Sequence, residues 1–364
     1  MPFRSRRLRL VLLTAAGLAA AVSMATTSLG QPAQLAAARA QANDPLATVK
    51  ALYAAFEKND LAAIRQLVAP EATWTYYGPE GILPFVGTRT GPDGVLDFFA
   101  RVEQSLAAPT PSQREMLVSG DTVIVPGWEE STVKSTGGHY KVANVHIFKV
   151  VGNRIVRFEE YIDSGTVADA FAPASASRGQ AFYTTCAGCH GNQAEGNADM
   201  HAPRLAGLPE SYLITQLRHF RAGIRGKPED FYGYQMVGRA NALLGDRGVR
   251  DVARFIASLQ PPAPASAGLA PAGGEAAYET CAACHGTKAE GNSELGAPPL
   301  HQLGAQYLRT QLANFRKGLR GMDPKDETGA QMRAAIEQVP EAQDGAIADY
   351  IATLGAGPAP ATKR

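Results

Sequence analysis

Cysteine is scarce in this 364-residue chain, which holds four. None occurs before Cys186, so the N-terminal segment offers no site for lipid attachment. Excess charge of either sign is missing too, since 35 Lys and Arg face 34 Asp and Glu. That balance gives no support for nucleic-acid binding or a polybasic membrane patch. Aromatic content is modest at 7%. Charge is absent from a long stretch near the N-terminus, between Arg9 and Arg39. It follows the basic "RSRRLRL", is rich in Ala and Thr, and leads to "SLG" and "ARA" as cleavage sites. Residues 1–40 therefore read as a secretory signal, the alternative being an uncleaved anchor. The expected location is the periplasm, with membrane association if the segment is retained.

All four cysteines lie in two short stretches, "TTCAGCHG" at 184–191 and "ETCAACHG" at 279–286. They belong to an internal repeat. Cys186 and Cys281 are 95 positions apart, as are Gly179 and Gly274, Tyr183 and Tyr278, Glu195 and Glu290, and Pro203 and Pro298. Tyr212 and Tyr307, Gln216 and Gln311, Phe220 and Phe315, and Arg225 and Arg320 share that offset, within "QLRHFRAGIRG" and "QLANFRKGLRG". Duplication of a small helical domain explains this pattern. The expected organisation is an α+β domain at 44–171 and helical domains at 175–260 and 273–355. The Pro/Ala/Ser-rich runs "FAPASASR" and "QPPAPASAGLAPAGG" read as linkers, and "GAGPAPATKR" as a loose tail.

Three chemistries compete for Cys-x-x-Cys-His. Structural zinc needs four ligands, and each repeat has one cysteine pair. A thioredoxin-type dithiol needs a βαβ setting, and these blocks carry no strand signals. Thioether attachment of haem, with the next histidine reaching the iron, remains. Two copies at repeat spacing in an exported chain select it. The sixth ligand should occupy equivalent places in both copies. Among Met200, Met236, His201 and His219 on one side and Met322, Met332 and His301 on the other, only Met236 and Met332 pair, 96 positions apart.

Residues 175–355 resemble a tandem of class I c-type cytochromes, similar to the dihaem cytochrome c4 type. The resemblance rests on the Gly-x-x-x-aromatic run before each motif, "AP" with a following Leu, "QL-x-x-F-x-x-G-x-R" and the late Met. It implies that Cys186, Cys189, His190 and Met236 serve one haem c, and Cys281, Cys284, His285 and Met332 the other. The iron ligands would be His190 with Met236 and His285 with Met332. It implies further that the carbonyls of Pro203 and Pro298 orient the histidines, and that Gly179 with Phe255 and Gly274 with Tyr350 mark helix crossings. Met/His ligation raises the potential relative to His/His and leaves no coordination site for a substrate.

The front region carries two helix patterns, Leu46, Val49, Leu52, Tyr53 and Phe56, then Leu61, Ile64, Leu67 and Val68, with Asp44 and Asp60 as caps. A strand at "EATWTYYG", a helix at "GVLDFFARVEQSL" and four strands with Gly-containing hairpin turns follow. Helices succeeded by an antiparallel sheet indicate α+β. "PFVGTRTGPDGVLDFF" and "GNRIVRFEEYIDSG" are similar to SnoaL-like proteins of the nuclear transport factor 2-like fold, which implies a cone-shaped pocket. Trp74, Tyr76, Trp128, Asn144, His146 and Asp163 are its candidate lining, and an acid–base pair would be drawn from Asp163, Glu160 and His146. The expectation is an electron carrier with redox partner proteins, whose front domain docks, dimerises or binds a ligand without turnover. The alternative is an enzyme in which that domain converts a small molecule and the haems carry the electrons.

Overall fold

The computed structural model describes residues 44–107, 115–260 and 272–355. The expected signal at 1–40, most of the second linker and most of the expected tail lie outside the described residues. The front domain opens with α1 (Pro45–Glu57) and α2 (Leu61–Leu67), the latter capped by Asp60, whose carboxylate accepts from Ala63 N at 3.0 Å. After them come β1 (Val68–Tyr76), β2 (Gly87–Thr90), α3 (Gly91–Ser105), β3 (Leu117–Ser119), β4 (Thr122–Thr132), β5 (His139–Val151), β6 (Arg154–Ile162) and α4 (Ser164–Phe171).

The sheet order is β2-β1-β6-β5-β4-β3. It is mixed rather than antiparallel, which corrects the expectation. β1 runs parallel to β6 because it enters beside the last strand of the meander, a placement no hairpin connects. The inner face is aromatic. Trp74 stacks on Phe158 with ring centroids 3.9 Å apart, and Phe98 of α3 lies against both Trp74 and Tyr76. Alternation along β5 puts Tyr140, Val142, Asn144, His146 and Phe148 on this face.

Each later repeat is a set of helices without strands. The first comprises α5 (Ala176–His190), α6 (Glu210–Arg221), α7 (Phe231–Asn241) and α8 (Gly245–Ser258). The second comprises α9 (Gly274–His285), α10 (Ala305–Arg316), α11 (Glu327–Ile336), a 3₁₀ turn and α12 (Asp344–Leu354). First and last helices cross at a glycine in both. A Cβ on Gly179 would sit 2.0 Å from the Asp251 carbonyl oxygen, and one on Gly274 would sit 2.8 Å from that of Ala346. One continuous apolar core joins the two repeats, running from Tyr183 and Val252 to Tyr278 and Ile347.

"FAPASASR" is not a free linker. It leaves α4, itself absent from the sequence expectation, and Ser175 caps α5. The fully buried Arg250 donates to the carbonyls of Ala172 and Asp169, both at 2.8 Å, and Asp251 accepts from Ser175 N at 2.6 Å. Such buried backbone bonds make the joint rigid. Pro/Ala/Ser composition reports propensity alone and is silent about the arginine that arrives from α8.

Candidate functional site

The Cys-x-x-Cys-His run occupies the last turn of α5 and of α9. In a helix the two cysteines at i and i+3 and the histidine at i+4 from the first share one side. Gly191 and Gly286 then turn the chain with φ of 80° and 79°, in the left-handed range that favours glycine. Tyr183 and Tyr278 pin this turn, each hydroxyl donating at 2.7 Å to the carbonyl of Gly191 or Gly286. Glu195 and Glu290 accept from the backbone N–H of Gln193 and Lys288, both at 2.8 Å. These bonds explain why the tyrosines and glutamates recur in both copies.

Both histidines are buried. His190 Nδ1–H donates to the Pro203 carbonyl at 2.8 Å, and His285 Nδ1–H to that of Pro298 at 2.9 Å. A carbonyl only accepts, so each ring is fixed in the tautomer that leaves the Nε2 lone pair free. Burial holds both imidazoles below their ordinary pKa, outweighing the carbonyl contact. They stay neutral and available to a metal.

Each histidine borders a cleft. The first is lined by His190, Met236 and apolar Leu205, Leu213 and Ile256. The second is lined by His285, Met332, Cys281 and Cys284. Cys186 and Cys189 precede His190 on α5 without lining the first cleft. None of the four cysteines forms a disulfide, and burial pushes the thiol of Cys186 up and that of Cys281 up to about 11. Raised thiols are the opposite of an activated redox dithiol.

The competing methionines point away. Met200 is 49% exposed and Met322 60% exposed. His201 also lines the first cleft, but stacks on Tyr232 and shares a 3.2 Å hydrogen bond at Nε2 with Gln306. His301 donates Nδ1–H to the Ala289 carbonyl and does not line the second cleft. His219 lies 3.7 Å from Asp326, in the contact between the two repeats. A neutral imidazole and a thioether bordering one apolar cleft, with thiols one turn away, form a donor set that fits a haem. The same arrangement appears twice.

In the front domain Trp74, Tyr76 and Asn144 are buried on the inner face, as expected, whereas Trp128 is 54% exposed. Asp163 is a helix cap, accepting from Thr166 N at 3.1 Å, and takes no part in an acid–base pair. His146 and Glu160 do meet, Nε2 to Oε1 at 3.2 Å. Tyr53 reaches His146 Nδ1 at 2.6 Å, and Asn144 donates to Glu160 at 3.1 Å. Tyr140 donates to Glu129. Sequence reasoning missed Tyr53, Glu129 and Tyr140 as members. Period-two alternation on β4 and β5 was the available signal for the latter two.

Helical repeats that each close a Cys-x-x-Cys-His turn over an apolar cleft define a pair of c-type cytochrome domains. The comparisons agree. Residues 176–260 and 271–355 match the Cytochrome c family, and residues 49–158 the SnoaL-like domain. The chain is 35% identical over 205 residues to the thiosulfate dehydrogenase electron acceptor of Stutzerimonas stutzeri, covering 50% of this chain and 88% of that protein. It is 29% identical over 202 residues to cytochrome c4 of Azotobacter vinelandii, covering 52% of this chain and 94% of that one. The front part is similar to an NTF2-like protein of Burkholderia thailandensis, 30% identical, covering 35% of this chain and 98% of that chain, with a TM-score of 0.33. The chain belongs to the dihaem c-type cytochromes, with a SnoaL-like domain in front. Its cytochrome domains carry two covalently bound haem c groups and serve electron transfer.

Proposed function

We propose that this chain is an exported electron carrier of the periplasm, organised as a signal at 1–40, a front domain at 44–171 and cytochrome domains at 175–260 and 273–355. Cys186 and Cys189 hold one haem and Cys281 and Cys284 the other, with His190 and Met236, and His285 and Met332, as axial ligands. The observation that carries this reading is the paired arrangement of His190 on the Pro203 carbonyl and His285 on that of Pro298, each sharing a cleft with a methionine.

A bound haem supplies a one-electron couple at its iron. The protein would hold each imidazole neutral and oriented, offer a methionine thioether from the same cleft, and surround the group with leucine and isoleucine. The donor is a dehydrogenase, the class of partner named for the S. stutzeri relative, and the acceptor an oxidase or reductase. The front domain docks a partner, pairs with a second copy or binds a small ligand, without turnover. Haem staining after denaturing electrophoresis tests the core of this: one band retaining two haems is expected. Replacing Cys186 and Cys189 together should leave one haem, and retention of both would refute the attachment sites.

The His146–Glu160 pair with Tyr53 favours a second reading, in which the front domain converts a small molecule and the haems remove electrons. Haem reduction by small substrates in the absence of any partner, abolished by His146→Ala, would establish it.

A further inference from the structure

The two cytochrome clefts follow one plan and differ at one corner of the wall. After each haem motif the chain makes the same turn, closed by paired backbone bonds between Asn197 and Ala202 in the first repeat and Asn292 and Ala297 in the second. His201 and Gly296 occupy the same step of that turn, donating their N–H to the carbonyls of Ala198 and Ser293. Both have left-handed backbone, with φ of 54° and 66°. Glycine adopts it freely, whereas a histidine pays a steric cost there. The residue opposite differs as well. Asp230 and Asp326 cap α7 and α11, and two positions further on stand Tyr232 and Thr328. The same two places meet in both repeats. A Cβ on Gly296 would lie 3.0 Å from Thr328 Cγ2, while the His201 ring stacks on Tyr232 with centroids 4.0 Å apart and planes at 16°.

His201 and Tyr232 line the first cleft, and Gly296 and Thr328 line the second. Tyr232 is 37% exposed and His201 half-buried, so the stack stands at the rim rather than the floor. It is braced from the other domain. Gln306, at the start of α10, donates Nε2–H to His201 Nε2 at 3.2 Å, which leaves the ring proton on Nδ1. The place equivalent to Gln306 in the first repeat holds Ser211. Backbone strain persists where the surroundings over-determine it, and it clusters at functional sites. The turn itself does not need the histidine, since the second repeat makes it with glycine.

Resting on the dihaem reading above, we propose that the His201–Tyr232 stack, braced by Gln306, covers the rim of the first haem cleft, so that the first haem is shielded from water and the second is open at the corresponding corner. Oxidation adds a positive charge at the iron, and a charge is less favourable where water is excluded. Shielding therefore raises the potential of the covered haem. His201 and Tyr232 are positioning residues, acting through the water they exclude rather than by touching the iron.

The test uses the intact dihaem protein, with haem content by pyridine haemochrome and both potentials by spectroelectrochemical titration. Haem exposure is read from the Soret shift on adding ethylene glycol. Fewer than two haems in the parent would refute the dihaem reading, whereas the outcomes below bear on the stack alone. His201→Gly with Tyr232→Thr copies the second corner onto the first. It should keep two haems, lower one potential and enlarge the solvent-induced shift. Gly296→His with Thr328→Tyr should raise the other potential and reduce that shift. Tyr232→Phe keeps a ring under the imidazole and should match the parent, and Gln306→Ala should fall between the parent and the open variant. Tyr232→Thr alone decides the matter if the double variant fails to assemble. Unchanged potentials and exposure in the open variants would overturn the proposal. So would a Tyr232→Phe protein shifted as far as Tyr232→Thr, or two double variants that move the same haem.

Discussion

The Asp246 carboxylate, at the start of α8 in the first cytochrome domain, accepts the backbone N–H of His139 in the front domain at 2.9 Å. The same carboxylate binds Arg218 at 2.7 Å and the buried Arg250 at 3.1 Å. Arg218 in turn donates to the Gly137 carbonyl at 2.8 Å. One acidic group therefore organises the seam between the domain of unassigned activity and the domain that carries electrons.

Removing that group should cost much. Asp246→Ala leaves Arg250 buried without its counter-charge, a loss of about 3–5 kcal/mol for a broken buried pair. Denaturant unfolding of the haem-loaded protein should show a lowered midpoint, with faster proteolysis between residues 171 and 176. A midpoint equal to the parent's would show that the seam contributes nothing to stability.

The seam should also loosen in acid. Burial alone would raise the Asp246 pKa, but hydrogen bonding to Arg218 and the charges of Arg218 and Arg250 outweigh it and hold the carboxyl below its ordinary value. A depressed carboxyl contributes stability that is complete above the unfolded pKa of about 3.9 and is lost as pH falls through the folded value. Proteolysis at the junction by an acid-active protease should therefore rise below about pH 4. Asp246→Asn should be susceptible throughout, without that rise.

The crossing glycines are unequal. Gly179→Ala drives a Cβ to 2.0 Å from the Asp251 carbonyl oxygen, whereas Gly274→Ala meets that of Ala346 at 2.8 Å. Overpacking at such contacts costs about 1–3 kcal/mol, and the first should stand at the upper end or beyond it. Thermal unfolding of the two variants should rank them in that order. The reverse ranking would mean that α5 and α8 separate more easily than the distances suggest.

Axial ligation by Met236 has a simple control. Met236→Ala should open one iron to added cyanide or imidazole, weaken the far-red band of sulfur-bound ferric haem and lower one potential. Met200→Ala, altering an exposed side chain, should do none of these. Met332→Ala and Met322→Ala should repeat the contrast at the second haem. Ligand entry in the Met200 or Met322 variant alone would reassign the sixth position.

The haem motif was legible because its chemistry is local. Two cysteines and a histidine on one helical turn meet one macrocycle, and duplication displays the pattern twice. Met236 and Met332 were singled out by repeat register, a comparison internal to the chain, and each borders the cleft of its histidine. Asn144 and His146 followed from alternation on one strand and Glu160 was already a candidate partner of His146, but Tyr53 joined them only in three dimensions. His146 and Tyr53 are 93 positions apart, and no pattern along the chain announces that distance. The parallel pairing of β1 with β6 has the same character, as does the ordered segment that composition marks as a linker. Gln216 and Arg320 were recognisable as repeat residues, and their hydrogen bond at 3.3 Å was not, because side chains 104 positions apart meet only once two domains are packed. The sequence by itself determined which cofactor the chain carries and how many, since covalent attachment needs only neighbours along a helix. Tertiary structure alone decided how the three domains are joined and which side chains meet between them, since such contacts arise only when distant segments exclude water from one another.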